Sequence, residues 1–202
     1  MINNVTIVTG TFGNPKWIEL VDQRSRLSAN LQALQAPYIH VHTENSLADA
    51  RNEGAKRAET DFLCFLDADD FLDQDFILEM NKCISNTENR ELTLFQPATK
   101  TFMSDEQPFI IPRKKLLNSN FLIIGTVVSR KVFLDIGGFD RDLQALEDWD
   151  LWIRCAIYGC GYTEVPSAIY EVANEPNSRN KDSNKVYSKI KSRYINCKGE
   201  LL

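Results

Sequence analysis

The chain has 202 residues, of which 43% are hydrophobic and 25% are charged, and its formal net charge at pH 7 is −5. These values indicate one globular domain, and the acidic balance argues against nucleic acid as a partner. No run of 18 apolar residues occurs, so we expect no membrane-spanning helix. Five cysteines without a Cys-x-x-Cys pair argue against a zinc site or a disulfide framework and favour a reducing, cytoplasmic location.

The first seventy residues alternate between strand-like and helix-like patterns. β-branched residues mark the strand segments, and apolar residues at helical spacing mark the segments between them. Asn14 before Pro15 predicts one helix start, and Ser46 with Asp49 predicts another. The predicted elements are a strand at 5–9, a helix from 15 to about 35 that Pro37 ends, a strand at 38–42, a helix at 46–57 and a strand at 62–66. This order predicts a right-handed, mostly parallel α/β sheet flanked by helices.

The second part of the chain shows fewer regular patterns. Pro108 and Pro112 favour loops or edge pairing in the mixed segment 99–120. The predicted elements are a helix at about 73–85, a strand at 92–96, a strand at 121–129 that Gly125 interrupts, and an amphipathic helix at 146–158. We found no internal repeat or low-complexity tract.

An acidic cluster follows the buried strand at 62–66. Asp67, Asp69 and Asp70 place three carboxylates within four positions, where they repel one another unless a cation lies among them. Ligands of open α/β sheets bind at the carboxyl ends of the strands, and hard oxygen ligands suit a divalent cation that bridges phosphates. The pattern therefore predicts a metal-assisted phosphate or nucleotide site. The alternative is an acidic turn that caps the helix beginning near Asp73.

Two ordered sets of residues resemble family 2 glycosyltransferases. ARNEG at 50–54 and DFLCFLDADD at 61–70 are similar to the donor half of that family. GTVVSR at 125–130, IGGFD at 136–140 and EDWDLWIR at 147–154 are similar to the acceptor half. The resemblance covers residues 3–170. It implies a GT-A fold, a nucleotide-diphosphate-sugar donor (a UDP-sugar by preference), a divalent Mn²⁺ or Mg²⁺, and inversion at the anomeric carbon.

The resemblance also implies roles for the donor-side residues. Asp69 is the expected metal ligand, while Asp67 contacts the ribose and supports the metal. Asp70 either lines the sugar pocket or caps the following helix. An Arg on a helix more often forms a surface ion pair, and this alternative stays open for Arg51. The other positions expected at the nucleotide or sugar are Thr9, Thr11, Glu44, Arg51, Asn52 and Gly138.

The acceptor side needs a base that takes the proton from the attacking hydroxyl. Asp148 matches the acceptor-side acid of the family and is the expected base, and Glu147 orients it or binds the acceptor. The alternative is that Glu147, Asp148 and Asp150 are acids that stabilise a helix N-terminus. Trp152 is expected in the helix core, whereas Trp149 either belongs to that core or lines the sugar-acceptor site.

Two departures from the family concern the donor site. Only about two residues separate the first predicted helix from the strand at 38–42, which matches the third strand of the family. A strand that reads the nucleotide base is therefore missing, or Glu44-Asn45 serves instead. No His after His42 is present to bind the metal. The competing function is a non-catalytic protein of this fold that binds a sugar nucleotide or a protein partner.

The predicted organisation is a transferase domain at 1–173, with a donor half at 1–97 and an acceptor half at 98–173, and a basic tail at 174–202. The tail holds seven Lys/Arg and three Asp/Glu. Its apolar residues keep helical spacing, which predicts an amphipathic helix. This helix either docks on the domain, covers the diphosphate as a lid, or contacts an anionic membrane or a lipid-linked acceptor. The tail residues expected to neutralise the diphosphate are Arg179, Lys181 and Lys185.

Overall fold

The computed structural model describes residues 4–112, 116–173 and 184–194. The strands in these ranges are β1 Val5–Phe12, β2 Tyr38–Thr43, β3 Phe62–Phe65, β4 Phe71–Leu72, β5 Thr93–Thr101, β6 Val128–Ser129 and β7 Gly161–Val172. The helices are α1 Lys16–Gln23, α2 Ser25–Asn30, α3 Leu47–Arg57, α4 Phe76–Ser85, α5 Arg130–Asp135, α6 Glu147–Tyr158 and α7 Asn184–Tyr194.

The strands form two sheets that meet at one backbone bridge. In the first sheet, with order β2-β1-β3-β6, β1 is parallel to both β2 and β3, and β6 is antiparallel to β3. In the second sheet, with order β4-β7-β5, β5 and β7 are parallel and β4 is antiparallel. Phe95 and Val127 exchange two backbone hydrogen bonds of 3.0 Å that join the sheets. The predicted α/β class, with a mostly parallel sheet flanked by helices, is confirmed.

Strand β3 is buried on both faces, as its continuous apolar sequence predicts. Phe62 and Cys64 pack in one hydrophobic cluster with residues of α4 such as Phe76. Leu63 and Phe65 point to the opposite face and pack in a second cluster with residues of α5 and α6. Because both faces are covered, the polar residues that follow β3 emerge together at one end of the sheet.

The prediction of the first helix is wrong for its second half. The helix breaks at Arg24, whose φ and ψ are −129° and −78°, and α2 ends at Asn30 instead of residue 35. Tertiary hydrogen bonds take the chain out of the helix, because Gln32 Nε2 donates to the Asp73 carbonyl at 2.8 Å and Gln32 Oε1 accepts from the Ile77 amide at 2.9 Å. Pro37 therefore does not end this helix.

The second part of the chain contains more strand than predicted. β5 continues past residue 96 to Thr101, with a bulge between Pro97 and Ala98 that removes the need for a proline N–H in the ladder. The predicted division between residues 97 and 98 falls inside this strand. β4, β7 and α5 were not predicted, because β4 is very short and β7 depends on pairing with distant β5 and β4.

The predicted strand at 121–129 is mostly irregular, since only Val128–Ser129 forms β6. A Cβ placed on Gly125 would lie 2.1 Å from Cδ2 of Tyr170, so the backbone here passes directly over the tyrosine ring. This close approach explains both the glycine and the loss of strand geometry.

Helix α7 docks on the domain through the apolar stripe seen in the sequence. Ile190 is fully buried against Leu143, Trp149 and Ile153. The Tyr187 ring stacks on Trp149 with a centroid distance of 4.8 Å. The structure thus shows docking, one of the three alternatives for this helix, with the apolar stripe facing the domain. Within the ranges given above, no helix has the length and apolar character needed to cross a membrane.

Candidate active site

The acidic turn after β3 brings three carboxyl groups together. Ligand oxygens of Asp67, Asp69 and Asp70 all lie within 4.8 Å of one another. Asp67 and Asp69 are partly exposed, whereas Asp70 is buried. Hard carboxylate oxygens at this spacing suit a single divalent cation such as Mg²⁺ or Mn²⁺. The residues present therefore fit the metal that the sequence predicts, and Asp67 and Asp69 are the partly exposed members of the cluster.

Asp70 is anchored by β7 and the residue after it. Tyr170 Oη donates to Asp70 Oδ2 at 2.7 Å, and the Ala173 amide donates to Oδ1 at 2.7 Å. Burial raises the pKa of Asp70 well above its usual value, and neighbouring Asp67 and Asp69 raise it further. The cap alternative is wrong for Asp70, because β4 separates it from α4, whose N-terminal residue is Phe76.

Arg51 lies between the acidic turn and the N-terminus of α6. Its Nη1 donates to Glu147 Oε1 at 2.8 Å, and its Nη2 donates to Asp67 Oδ1. The residue is 3% exposed, so the alternative of a surface ion pair is wrong. Burial disfavours its charge, but Asp67 and Glu147 outweigh this effect and raise the pKa of Arg51. The guanidinium thus joins carboxylates from the predicted donor and acceptor halves.

Asn52 and Gly138 hold the loop that follows α5. Asn52 Nδ2 donates to the Phe139 carbonyl at 2.9 Å, and Asn52 Oδ1 accepts from the Phe139 amide at 2.8 Å. Gly138 has a φ of +71°, and a Cβ there would lie 2.4 Å from Asn52 Oδ1. Both residues were expected at the nucleotide or sugar. Here the Asn52 side chain binds the loop backbone, and the glycine leaves room for that amide.

The acceptor-side pair begins α6. Asp148 Oδ1 accepts from the Trp149 amide at 2.8 Å, and Asp148 Oδ2 accepts from Asn120 Nδ2 at 2.9 Å. Burial, reinforced by the charge of Glu147, raises the pKa of Asp148 to about 6. A carboxylate of this kind is ionised at neutral pH and has a higher proton affinity than an exposed aspartate, which suits a general base.

The third acid of this helix has a different role. Asp150 is fully buried and accepts from Arg154 Nε at 2.8 Å, from Tyr194 Oη at 2.7 Å and from Arg193 Nη1 at 3.1 Å. It therefore anchors α7 and the rest of α6 to one another. Sequence analysis grouped Asp150 with Glu147 and Asp148, but its partners make it a structural residue.

Trp149 is part of the packing between α6, α7 and the preceding loop. It is 1% exposed, its Nε1 donates to the Leu116 carbonyl at 2.6 Å, and the Tyr187 ring covers one face. The interpretation that Trp149 lines the sugar-acceptor site is therefore wrong for this arrangement. Trp152 is fully buried in the core, as expected.

The expected nucleotide contacts at the edge of the sheet form a separate polar group. Thr9 and Thr11 are buried on β1, and Thr11 Oγ1 bonds His40 Nε2 at 2.9 Å and His42 Nδ1 at 3.0 Å. Glu44 is exposed, with Oε1 3.5 Å from His42 Nε2. Thr9 and Thr11 lie in the carboxyl-terminal half of β1, and Glu44 directly follows the parallel strand β2. β1 also pairs with β3, which precedes the acidic turn.

Of the tail residues expected at the diphosphate, Arg179 and Lys181 lie outside the described residues, and Lys185 is exposed on α7. The sequence does not indicate the roles of Tyr170 and Asn120, which donate hydrogen bonds to Asp70 and Asp148 at 2.7 and 2.9 Å. Neither residue stands in a local pattern that marks it, since each partner lies 28 or more positions away along the chain.

The family described as "Glycosyltransferase like family 2" matches residues 21–197. The chain belongs to this family. An uncharacterized glycosyltransferase of Haemophilus influenzae is 24% identical over 126 residues, a match that covers 57% of this chain and 42% of that protein. The chain thus spans less than half the length of this relative.

Solved structures of TarS from S. aureus share the fold. One TarS structure has a TM-score of 0.69 and 15% identity, covering 96% of this chain and 40% of TarS. A TarS structure in complex with UDP has a TM-score of 0.67 and 14% identity, covering 96% and 71%. A third, in complex with UDP-GlcNAc, has a TM-score of 0.70 and 13% identity, covering 93% and 64%. These similarities confirm the GT-A fold.

Proposed function

We propose that the chain is a glycosyltransferase that moves a sugar from a nucleotide-diphosphate donor to an acceptor hydroxyl, with inversion and with a divalent cation. The observation that supports this proposal is the Arg51 bridge. It joins Asp67 after β3 to Glu147 at the start of α6, so the two acidic groups border one site although 80 positions separate them. Family membership supports the same reaction class.

On the donor side, Asp69 and Asp67 would hold a divalent cation, which when bound would neutralise the charge of the diphosphate. Asp70 stabilises the turn, because its two carboxyl oxygens accept hydrogen bonds from Tyr170 of β7 and from the Ala173 amide. We retain the sugar pocket as a second role for Asp70. Thr11, His42 and Glu44 lie at the neighbouring strand ends, where a nucleoside would reach.

On the acceptor side, Asp148 accepts the proton of the acceptor hydroxyl as the oxygen attacks the anomeric carbon. The bond from that carbon to the diphosphate breaks in the same displacement, which inverts the configuration. Asn120 and the Trp149 amide fix the carboxylate, and its pKa of about 6 keeps it ionised at neutral pH. Glu147, which accepts a hydrogen bond from Arg51, orients Asp148.

We infer that the donor is a UDP-sugar, since TarS structures contain UDP and UDP-GlcNAc. The acceptor is a carbohydrate or a lipid-linked hydroxyl compound. We retain a cytoplasmic location, which the four free cysteines of the described residues support. We also retain the transferase domain at 1–173, to which α7 of the basic tail adds the packing around α6.

Release of nucleoside diphosphate from a panel of sugar nucleotides, with and without Mn²⁺ or Mg²⁺, tests the proposal. We expect metal-dependent release from at least one UDP-sugar, and loss of that release in Asp148→Asn. The competing function, a non-catalytic sugar-nucleotide binder, gains support from β2, which pairs directly with β1 so that no extra base-reading strand lies between them. Tight, metal-dependent binding of a sugar nucleotide without any turnover across a panel of acceptors would favour the binder.

A further inference from the structure

We propose that Arg51 is a positioning residue that couples the donor-side carboxylate Asp67 to the acceptor-side pair Glu147 and Asp148. Sequence analysis expected Arg51 at the nucleotide. In the structure, however, both terminal nitrogens of its guanidinium are directed to protein carboxylates. The role of Asp148 as base rests on the proposed function. The coupling itself depends only on the contacts of Arg51 with Asp67 and Glu147.

The guanidinium is held in place from several sides. α3 presents Arg51 from its buried face, and Gly10 on β1 makes room for it, since a Cβ there would lie 2.9 Å from Arg51 Cγ. The Phe139 ring lies 5.2 Å from Arg51 Cζ, and Asn52 fixes the Phe139 backbone with two hydrogen bonds. Because these contacts come from three separate segments, the fork has little freedom to leave its two carboxylates.

The bridge connects groups of very different exposure. The Asp67 side chain is 32% exposed, whereas those of Arg51 and Glu147 are 3% and 8% exposed. A buried carboxylate without a partner is strongly disfavoured, and Arg51 supplies an ion-pair partner to the buried Glu147. Any change in charge at the partly exposed Asp67 alters how much of the guanidinium charge is available to Glu147 and Asp148.

Two charged groups have a clear effect on Asp148. Among the described residues, Glu147 from its own helix raises its pKa and Arg51 from α3 lowers it. The loop before α5 contributes the neutral Asn120, and α7 covers the adjacent Trp149 with Tyr187. Replacement of Arg51 or Asp67 with a neutral residue is therefore measurable as a change in the titration of Asp148.

The test follows the side-chain carboxyl of Asp148 by ¹³C NMR in the ligand-free protein, with the signal assigned by its absence in Asp148→Asn. In Arg51→Met we expect the apparent pKa of Asp148 to rise by about one unit, because an opposite charge close to the pair is lost. Arg51→Lys should give an intermediate value, since an ammonium group reaches one carboxylate at a time. Arg57→Met is the matched control, because Arg57 is exposed on the same helix and pairs with Glu53. It should leave Asp148 unchanged.

The Asp67→Asn variant distinguishes coupling through Arg51 from a direct effect of the Asp67 charge on Asp148. In the wild-type background this change should lower the apparent pKa of Asp148, and in the Arg51→Met background the shift should shrink by at least half. An equal shift in both backgrounds would mean that Asp67 acts directly through space and would overturn the proposal. An unchanged pKa in a folded Arg51→Met variant would overturn it too. If Arg51→Met does not fold, the Asp67→Asn shift is measured in the Arg51→Lys background instead. A shift equal to that in the wild-type background would overturn the proposal, and a smaller shift would support it.

The titration needs neither donor nor acceptor. The expected shifts without any sugar transfer would therefore leave the coupling in place and refute the proposed function. Sugar transfer without the shifts would do the reverse.

Discussion

The donor-side and acceptor-side acids are chemically alike, but they differ in exposure and in the groups that contact them. Asp67 and Asp69 stand partly exposed at the end of β3 within 4.8 Å of a third carboxyl. Arg51 pairs with Asp67, and Arg24 Nη1 donates to the Asp69 backbone carbonyl at 3.0 Å. On α6, by contrast, Glu147 has an ion pair at 2.8 Å, and Asp148 has an amide and a backbone donor.

This difference indicates which charge each side is built to receive. The donor-side cluster places two partly exposed carboxylates beside a third carboxyl group, which suits the divalent cation that we propose there. On the acceptor side, Glu147 has an ion pair, Asp148 accepts two hydrogen bonds, and burial raises the pKa of Asp148, which suits its proposed role as base. Two sites of similar composition thus differ because of burial and partners.

The largest expected effect is on the acceptor side. Asp148→Asn should reduce turnover by about 10²–10⁴-fold, because the amide cannot accept the acceptor proton. Binding of the nucleotide donor should change little. Steady-state kinetics and calorimetry measure the two effects, with Asp142→Asn in the exposed loop before α6 as the control. Wild-type turnover at saturating acceptor would make Asp148 a helix-terminal acid only.

The acceptor side also depends on α7, which packs against Trp149 and Ile153 of α6. Ile190→Ala should lower the free energy of unfolding by about 2–4 kcal/mol, since Ile190 is fully buried against α6. Lys189→Ala, on the exposed face of the same helix, should change it little. Denaturant unfolding measures both. Equal stability of the two variants would show that α7 does not dock in solution.

On the donor side, Asp69→Asn should remove the metal dependence of nucleotide binding. We expect wild-type affinity to fall by about tenfold on chelation and the variant to show no further fall, because a ligand of the cation is lost. Asp75→Asn, an exposed acid beyond the turn, is the control. Calorimetry with and without Mn²⁺ decides; equal wild-type binding in both conditions would refute the metal site.

The smallest expected effect is the pH dependence of turnover, which reports on the acceptor-side acid Asp148. Asp148 must be ionised to act as base, and its pKa of about 6 places the loss of turnover below that pH. The rate should fall to about half at pH 6 and about a tenth at pH 5. The sign for stability is opposite, because a raised folded-state pKa favours the protonated protein: Asp148→Asn should gain stability relative to wild type above pH 6. A rate that stays flat down to pH 5 would contradict this assignment.

Several features could be predicted from the sequence because their causes are local. The continuous apolar run of β3 predicts burial on both faces, and the acids after it must then emerge at a strand end. Ser46 and Asp49 lie three residues apart and cap α3 as predicted, with the Asp49 amide donating to Ser46 Oγ. The amphipathic pattern of α6 likewise predicts its bounds to within one residue.

Tertiary structure alone decided which partners these local features acquire. Tyr170 reaches Asp70 across 100 positions, Arg51 reaches Glu147 across 96, and Arg193 reaches Asp150 across 43. Such pairings leave no periodic signal, since each depends on the packing of segments that are remote along the chain. Acidic residues that look alike in the sequence therefore differ in burial and hydrogen-bond partners, and these become defined only when the sheets and helices pack.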